Sequence, residues 1–170
     1  MHGSNERNGR NGRNERNERS STREEERGGL SPARILVVED NALNRLLLRD
    51  ILALRGHQVA EAATVEEARI LLCGQPFDLV LLDVQIPGGG GEAVVREVRR
   101  RAPPADLPIV AVTSLAMPGD RERLLRSGFQ GYLSKPIDTR AFGPIVETYL
   151  RVSAAARAAA ASGPALLESA

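Results

Sequence analysis

Ile35-Leu36-Val37-Val38-Glu39-Asp40-Asn41 is the stretch on which the fold turns. Four consecutive aliphatic residues mark a strand buried on both faces, and two acids stand where that run stops. A helical pattern follows, with Leu43, Leu46, Leu47, Ile51 and Leu54 expected on its packed side and Gly56 ending it. Outward from there the alternation repeats. Residues 58–62 read as a second strand. Thr64, with Glu67 three residues on, is a capping box opening a helix to about Cys73. Residues 79–82, Leu-Val-Leu-Leu, give a third strand, and 93–101 a helix with Val94, Val95 and Val98 inward. Residues 109–112 give a fourth strand, and 118–127 a polar helix with only Leu124 and Leu125 to bury. A short strand follows around Tyr132 and Leu133, after which Asp138 caps a helix reaching at least Leu150. Such regular strand–helix alternation over residues 33–151 predicts an α/β fold, a doubly wound parallel sheet between helices.

Composition limits what that sheet can do. The chain has 170 residues, 42% of them hydrophobic, only 3% aromatic and no Trp, so aliphatic side chains must pack the core. Lys plus Arg is 23 against 22 for Asp plus Glu, and a net charge of +1 supplies no long-range field for nucleic acid or a membrane surface. One cysteine, Cys73, excludes an internal disulfide. Together with two histidines it also falls short of an ordinary structural zinc site. A cytoplasmic setting is expected. Residues 1–32 open with tandem Asn-Glu-Arg and Asn-Gly-Arg tripeptides that have nothing to bury, a low-complexity tail expected to be disordered. Residues 152–170 form an Ala-rich extension, a candidate dimerisation element.

In parallel sheets of this kind ligands sit beyond the carboxyl ends of the strands. Those positions hold Glu39 and Asp40 after the first strand, Asp83 after the third, Thr113 and Ser114 after the fourth, and Lys135 after the fifth. Lys135 is the sole lysine of the chain. Two unit charges about 4 Å apart repel by roughly 4 kcal/mol at an effective dielectric near 20, so crowded carboxylates require protonation or a cation. Oxygen-only ligands select a hard ion, and Mg2+ keeps positions open for phosphate oxygens. Asp83 ends the most apolar strand and is the expected nucleophile, Asp40 and Glu39 the metal side, Lys135 the phosphoryl-holding charge, and Thr113 a hydroxyl donor.

The segments Ile35 to Asn41, Leu81-Leu-Asp83-Val-Gln-Ile-Pro87, Val110-Ala-Val-Thr113-Ser114 and Gly131-Tyr132-Leu-Ser-Lys135-Pro136 resemble, in order and spacing, the receiver domain of two-component response regulators. The resemblance covers residues 33–151. It implies a flavodoxin-like five-stranded parallel sheet in 2-1-3-4-5 order. It also implies that Asp83 takes a phosphoryl group from the phosphohistidine of a histidine kinase or histidine phosphotransfer protein. Mg2+ would be held by Asp40, Asp83 and the backbone carbonyl of Gln85, with Glu39 acting through water. Thr113 and Tyr132 would be the switch pair, Tyr132 turning inward, and Pro136 would follow a cis bond. Gln85 and Leu115 would occupy the places that tune phosphoaspartate lifetime, and small Ser114 would leave the approach open. The four glycines Gly88 to Gly91 depart from the usual loop and predict mobility beside the site.

A stand-alone receiver is the expected function, its output a phosphorylation-dependent protein contact through the fourth helix, fifth strand and fifth helix. The alternative is a phosphorelay intermediate that hands the group on to a downstream histidine phosphotransfer protein. An aspartate-nucleophile phosphatase is disfavoured, because the position of its general acid, two residues beyond Asp83, is Gln85. His57, in a turn at the far edge of the sheet, and His2, in the tail, are not internal phosphodonors.

Overall fold

The apolar runs become the strands of one sheet. The computed structural model of the chain describes residues 31–100, 106–114 and 119–162. Leu115 and the tandem tripeptides lie outside the described residues. β1 (Arg34–Val38), β2 (Gln58–Ala62), β3 (Leu79–Leu82), β4 (Ile109–Thr113) and β5 (Gly131–Ser134) stand in the order β2-β1-β3-β4-β5, every neighbouring pair parallel. Between and after them come α1 (Ala42–Ala53), α2 (Val65–Gly74), α3 (Gly91–Arg99), α4 (Asp120–Arg126) and α5 (Phe142–Ala161). This is the flavodoxin-like arrangement. The strand order reverses between β1 and β3, which puts the carboxyl ends of those two strands at the crevice where such sheets bind ligands.

Alternation along the strands divides the core in two. Leu36, Val38, Val80, Leu82, Ile109 and Ala111 cluster with Val65 and Ala68 of α2, Val94, Val95 and Val98 of α3 and Leu124 of α4. Their neighbours Ile35, Val37, Leu79, Leu81, Val110 and Val112 are equally buried and belong to the opposite face. Among the described residues, Leu48 and Leu52 of α1 and Phe142, Val146 and Leu150 of α5 are the buried apolar side chains of the helices outside the first cluster. An Arg55–Glu147 ion pair at 2.7 Å joins the end of α1 to α5.

The packed side of α1 differs from the sequence expectation. Leu48 and Leu52 are buried, whereas Leu43 (76% exposed), Leu46, Leu47 and Leu54 (89%) face solvent. Leucines surround this helix, so apolar spacing alone leaves its rotation open. Polar tethers set it: Asn44 Nδ2 donates to Glu39 Oε1 at 3.1 Å, and Arg45 and Arg49 each reach Glu61 of β2 at 3.5 Å. These residues lie on the same side as Leu48 and Leu52.

Local signals place the other boundaries. Thr64 Oγ1 accepts from Glu67 N–H at 3.2 Å, while Glu67 Oε2 accepts from Ala63 N–H at 2.7 Å, so the expected box closes one residue early. Asp138 Oδ1 accepts from the N–H groups of Arg140 and Ala141 and stabilises a turn, and α5 proper begins at Phe142. Arg99 closes the far side of the domain, donating to the carbonyls of Gly128 at 2.9 Å and Leu107 at 2.8 Å and to the Gln130 side chain. Cys73, expected as packing, is exposed because it turns away from the α2 face that holds Val65 and Ala68.

His57 is buried just ahead of β2, and its Nδ1 accepts a hydrogen bond from Ala33 N–H at 3.3 Å. Burial holds its pKa below 6.5; Glu147 and Asp78 pull it back up and Arg55 adds to the lowering. The folded protein therefore binds fewer protons here than the unfolded chain. The stability this confers is full above the unfolded value, near 6.5, and declines as pH falls toward the lower folded value. Thermal melts from about pH 7.5 to 5 should show a steeper loss for the wild type than for His57→Gln. Parallel slopes would contradict this.

Candidate functional site

Asn41 starts the site by turning the chain sharply after β1. Its Oδ1 accepts from the N–H groups of Leu43 at 3.0 Å and Asn44 at 3.1 Å, an N-cap that leaves Glu39 and Asp40 at the sheet edge. Glu39 is 1% exposed and held from several sides. Its N–H donates to the Ala62 carbonyl at 3.0 Å, and its own carbonyl accepts from Arg45 Nη1 at 2.7 Å. Asp83 follows β3, also buried; its N–H donates to the Val38 carbonyl, and Oδ1 accepts from Gln85 N–H, both at 2.9 Å.

Lys135, the residue after β5, closes the pocket. Its N–H donates to the Thr113 carbonyl at 2.9 Å, which carries the side chain over β4 toward the acids. Nζ lies 2.6 Å from Asp83 Oδ2 and 2.7 Å from Glu39 Oε2. Burial works to lower the Lys135 pKa, but hydrogen bonds to Asp83 and Glu39 and the attraction of both charges outweigh it, and the net shift is above 10.5. The peptide bond to Pro136 is cis.

Carboxylate oxygens of Glu39, Asp40 and Asp83 lie within 4.8 Å of one another. Three carboxylates against the one ammonium of Lys135 leave a formal excess of two negative charges. An all-oxygen donor set with that excess fits a hard divalent ion such as Mg2+, and the exposure of Asp40 leaves one side open for water or phosphate oxygens.

The remaining expected residues divide. Thr113 is fully buried at the end of β4, the strand beside β3, and Ser114 is exposed just past it. Gln85 offers its N–H to Asp83 while its side chain is exposed, and Pro136 is exposed. Tyr132 lies outward at 40% exposure and does not enter the pocket. Leu115 lies outside the described residues.

Sequence reasoning missed three supporting residues. Asn44 and Arg45 hold Glu39 from α1, and their signal was a pair of polar side chains on the first turn after an acid pair. Gly91 is the third. A Cβ there would stand 2.5 Å from the Asp83 carbonyl oxygen and 3.1 Å from Leu82 Cγ and Val84 Cα. Gly88, Gly89 and Gly90 need glycine for another reason, φ values of +96°, +106° and +76°. Gly91→Ala should cost about 1–3 kcal/mol in chemical denaturation, because backbone is what must shift. Gly74→Ala, where a Cβ meets nothing within 4 Å, is the control and should be near neutral.

Residues 35–147 match the family model for the response regulator receiver domain. The chain belongs to that family. It is 34% identical over 119 residues to the polar-differentiation response regulator DivK of Brucella anthropi, across 70% of this chain and 97% of that protein. Among solved structures it resembles a CheY-like receiver domain protein from Methanospirillum hungatei, with TM-score 0.67 and 25% identity over 74% of this chain and 98% of that one. It also resembles the chemotaxis response regulator CheY4 of Vibrio cholerae, with TM-score 0.64 and 27% identity over 72% and 99% of the two chains. Receivers of response regulators are phosphoacceptor switches that bind magnesium at an acidic pocket. Glu39, Asp40 and Asp83 form such an acidic cluster here. Among the described residues no helix is long and apolar enough to cross a membrane.

Proposed function

We propose that this chain is a cytoplasmic single-domain response regulator. In this reading residues 33–151 carry the receiver, and Asp83 accepts a phosphoryl group in a Mg2+-dependent reaction. The observation that carries it is the meeting of Lys135 Nζ with Asp83 and Glu39 at 2.6 and 2.7 Å, beside Asp40. A carboxylate oxygen of Asp83 forms a bond to phosphorus as the bond from phosphorus to the donor imidazole breaks, its electron pair returning to the ring nitrogen. Mg2+, held by Asp40, Asp83 and the Gln85 carbonyl with Glu39 supporting through water, would supply the positive charge that lets two anions approach. Lys135 moves from a carboxylate partner to a phosphoryl oxygen, and Thr113 donates its hydroxyl to another.

The donor is a histidine kinase or histidine phosphotransfer protein. Leu43, Leu46 and Leu47 stand exposed on the first turns of α1, directly after Asp40, and give that donor apolar ground beside the pocket. Leu47→Asp should slow transfer from a phosphorylated protein donor about tenfold while labelling by a small acyl phosphate is unchanged. Equal slowing of both would place the effect in the pocket instead.

Output follows from the switch pair. Once Thr113 is drawn to the phosphoryl group, Tyr132 turns inward from its exposed position, remodelling the face made by α4, β5 and α5, where Leu125 and Ile145 are also exposed. The test of the proposed function is incubation with a small acyl-phosphate donor, with and without Mg2+, read by intact mass. A single phosphoryl adduct that EDTA prevents supports it, and an unmodified mass under all conditions refutes it.

A further inference from the structure

Among the described residues β5 is an edge strand, hydrogen-bonded to β4 and to no other strand. A side chain of α5 bears on it instead. Gly131, the first residue of β5, is buried beneath the end of the Tyr149 ring: a Cβ there would stand 3.0 Å from Cε1, 2.6 Å from Cζ and nearer still to the hydroxyl oxygen. Any side chain at 131 would drive the phenol out, so the two positions are fitted to each other. Gly131 directly precedes Tyr132, which stands outward at 40% exposure. The half-buried Tyr149 phenol is also within electrostatic reach of α4 and of Tyr132. Burial pushes its pKa up, Arg121 of α4 draws it down, and Tyr132 adds to the rise. One side chain of α5 thus meets both other elements of the face.

We propose that Tyr149 is a positioning residue of the switch, a wedge seated on Gly131 that holds Tyr132 in its outward state and carries its inward turn into α5. The inference rests on the receiver reading given above. An inward turn of a ring as large as Tyr132 displaces the backbone that carries it, and the residue beside that backbone lies in close contact with the Tyr149 phenol. Packing made in one state and disturbed in the other biases the equilibrium toward the first. Tyr149 therefore favours the unphosphorylated form. Conversely, the turn of Tyr132 moves the strand on which the Tyr149 ring rests, so the environment of that ring changes with the state of Asp83.

The chain has two tyrosines and no Trp, so replacing either leaves the other as the sole strong emitter. In Tyr132→Phe only Tyr149 reports, and its fluorescence should change when Mg2+ and beryllofluoride, a phosphoryl stand-in, are added together. In Tyr149→Phe, which loses the hydroxyl that crowds Gly131, half-saturation by beryllofluoride measured by calorimetry should fall about threefold to tenfold below the wild type. Gly131→Ala, which expels the phenol, should shift it the same way with an unchanged circular dichroism spectrum. An unmoved Tyr149 signal, or half-saturation equal to or above the wild type in both variants, would overturn the inference while the acyl-phosphate adduct still forms. Absence of that adduct in the wild type would instead remove the receiver reading, and this inference with it.

Discussion

Asp83→Asn should lose phosphorylation completely, to below about one hundredth of the wild-type extent, with either an acyl phosphate or a phosphorylated protein donor. An amide in place of the carboxylate is no nucleophile toward phosphorus, and no other acid has the same setting. Asp40 is exposed, and Glu39 is enclosed by Lys135, Asn44 and Arg45. Asp83 alone has its N–H tied to β1 and one oxygen fixed by the Gln85 N–H, leaving Lys135 on the other. The substitution also removes one negative charge from a pocket with two in excess. The variant should therefore unfold no more easily than the wild type without Mg2+, and its denaturation curve separates lost chemistry from lost structure.

Lys135→Met should have the largest effect on stability. Nζ is the counter-charge to two buried carboxylates, and its removal leaves both without one, at a cost of about 3 kcal/mol in the metal-free protein at neutral pH. Adding Mg2+ should restore more stability to the variant than to the wild type, because the ion replaces the missing charge. The sign with pH follows from the raised Lys135 pKa. Its contribution is complete below the unfolded value near 10.5 and disappears as pH climbs through the higher folded one. Urea titrations carried from neutral pH upward through the alkaline range should accordingly show the gap between wild type and variant closing. A constant gap would assign the lysine a packing role only.

Much of this fold was legible because the central strands are so apolar. Ile35 to Val38 and Leu79 to Leu82 can be stable only between two helical layers, and that forces the acids after them to one edge. The rotation of α1 was not legible. Its leucines fit more than one face, and the choice rests on bonds from Asn44, Arg45 and Arg49 to Glu39 and Glu61, contacts between segments that periodicity does not see. Gly91 was hidden for a similar reason. Among four glycines in a row only the approach of the Asp83 carbonyl separates the one that packs from the three that turn. Lys135 stood out as the single lysine, but only the pairing of β4 with β5 brings it over Thr113 to the acids.

The central claim is that Asp83 is the atom-for-atom acceptor, and borohydride trapping after acyl-phosphate treatment tests it most directly. Reduction converts an aspartyl phosphate to homoserine, which peptide mass spectrometry can place. Homoserine is expected at position 83 alone, in samples containing Mg2+ and not in those with EDTA. Reduction at Asp40 or Glu39 instead, or label that survives Asp83→Asn, would contradict it.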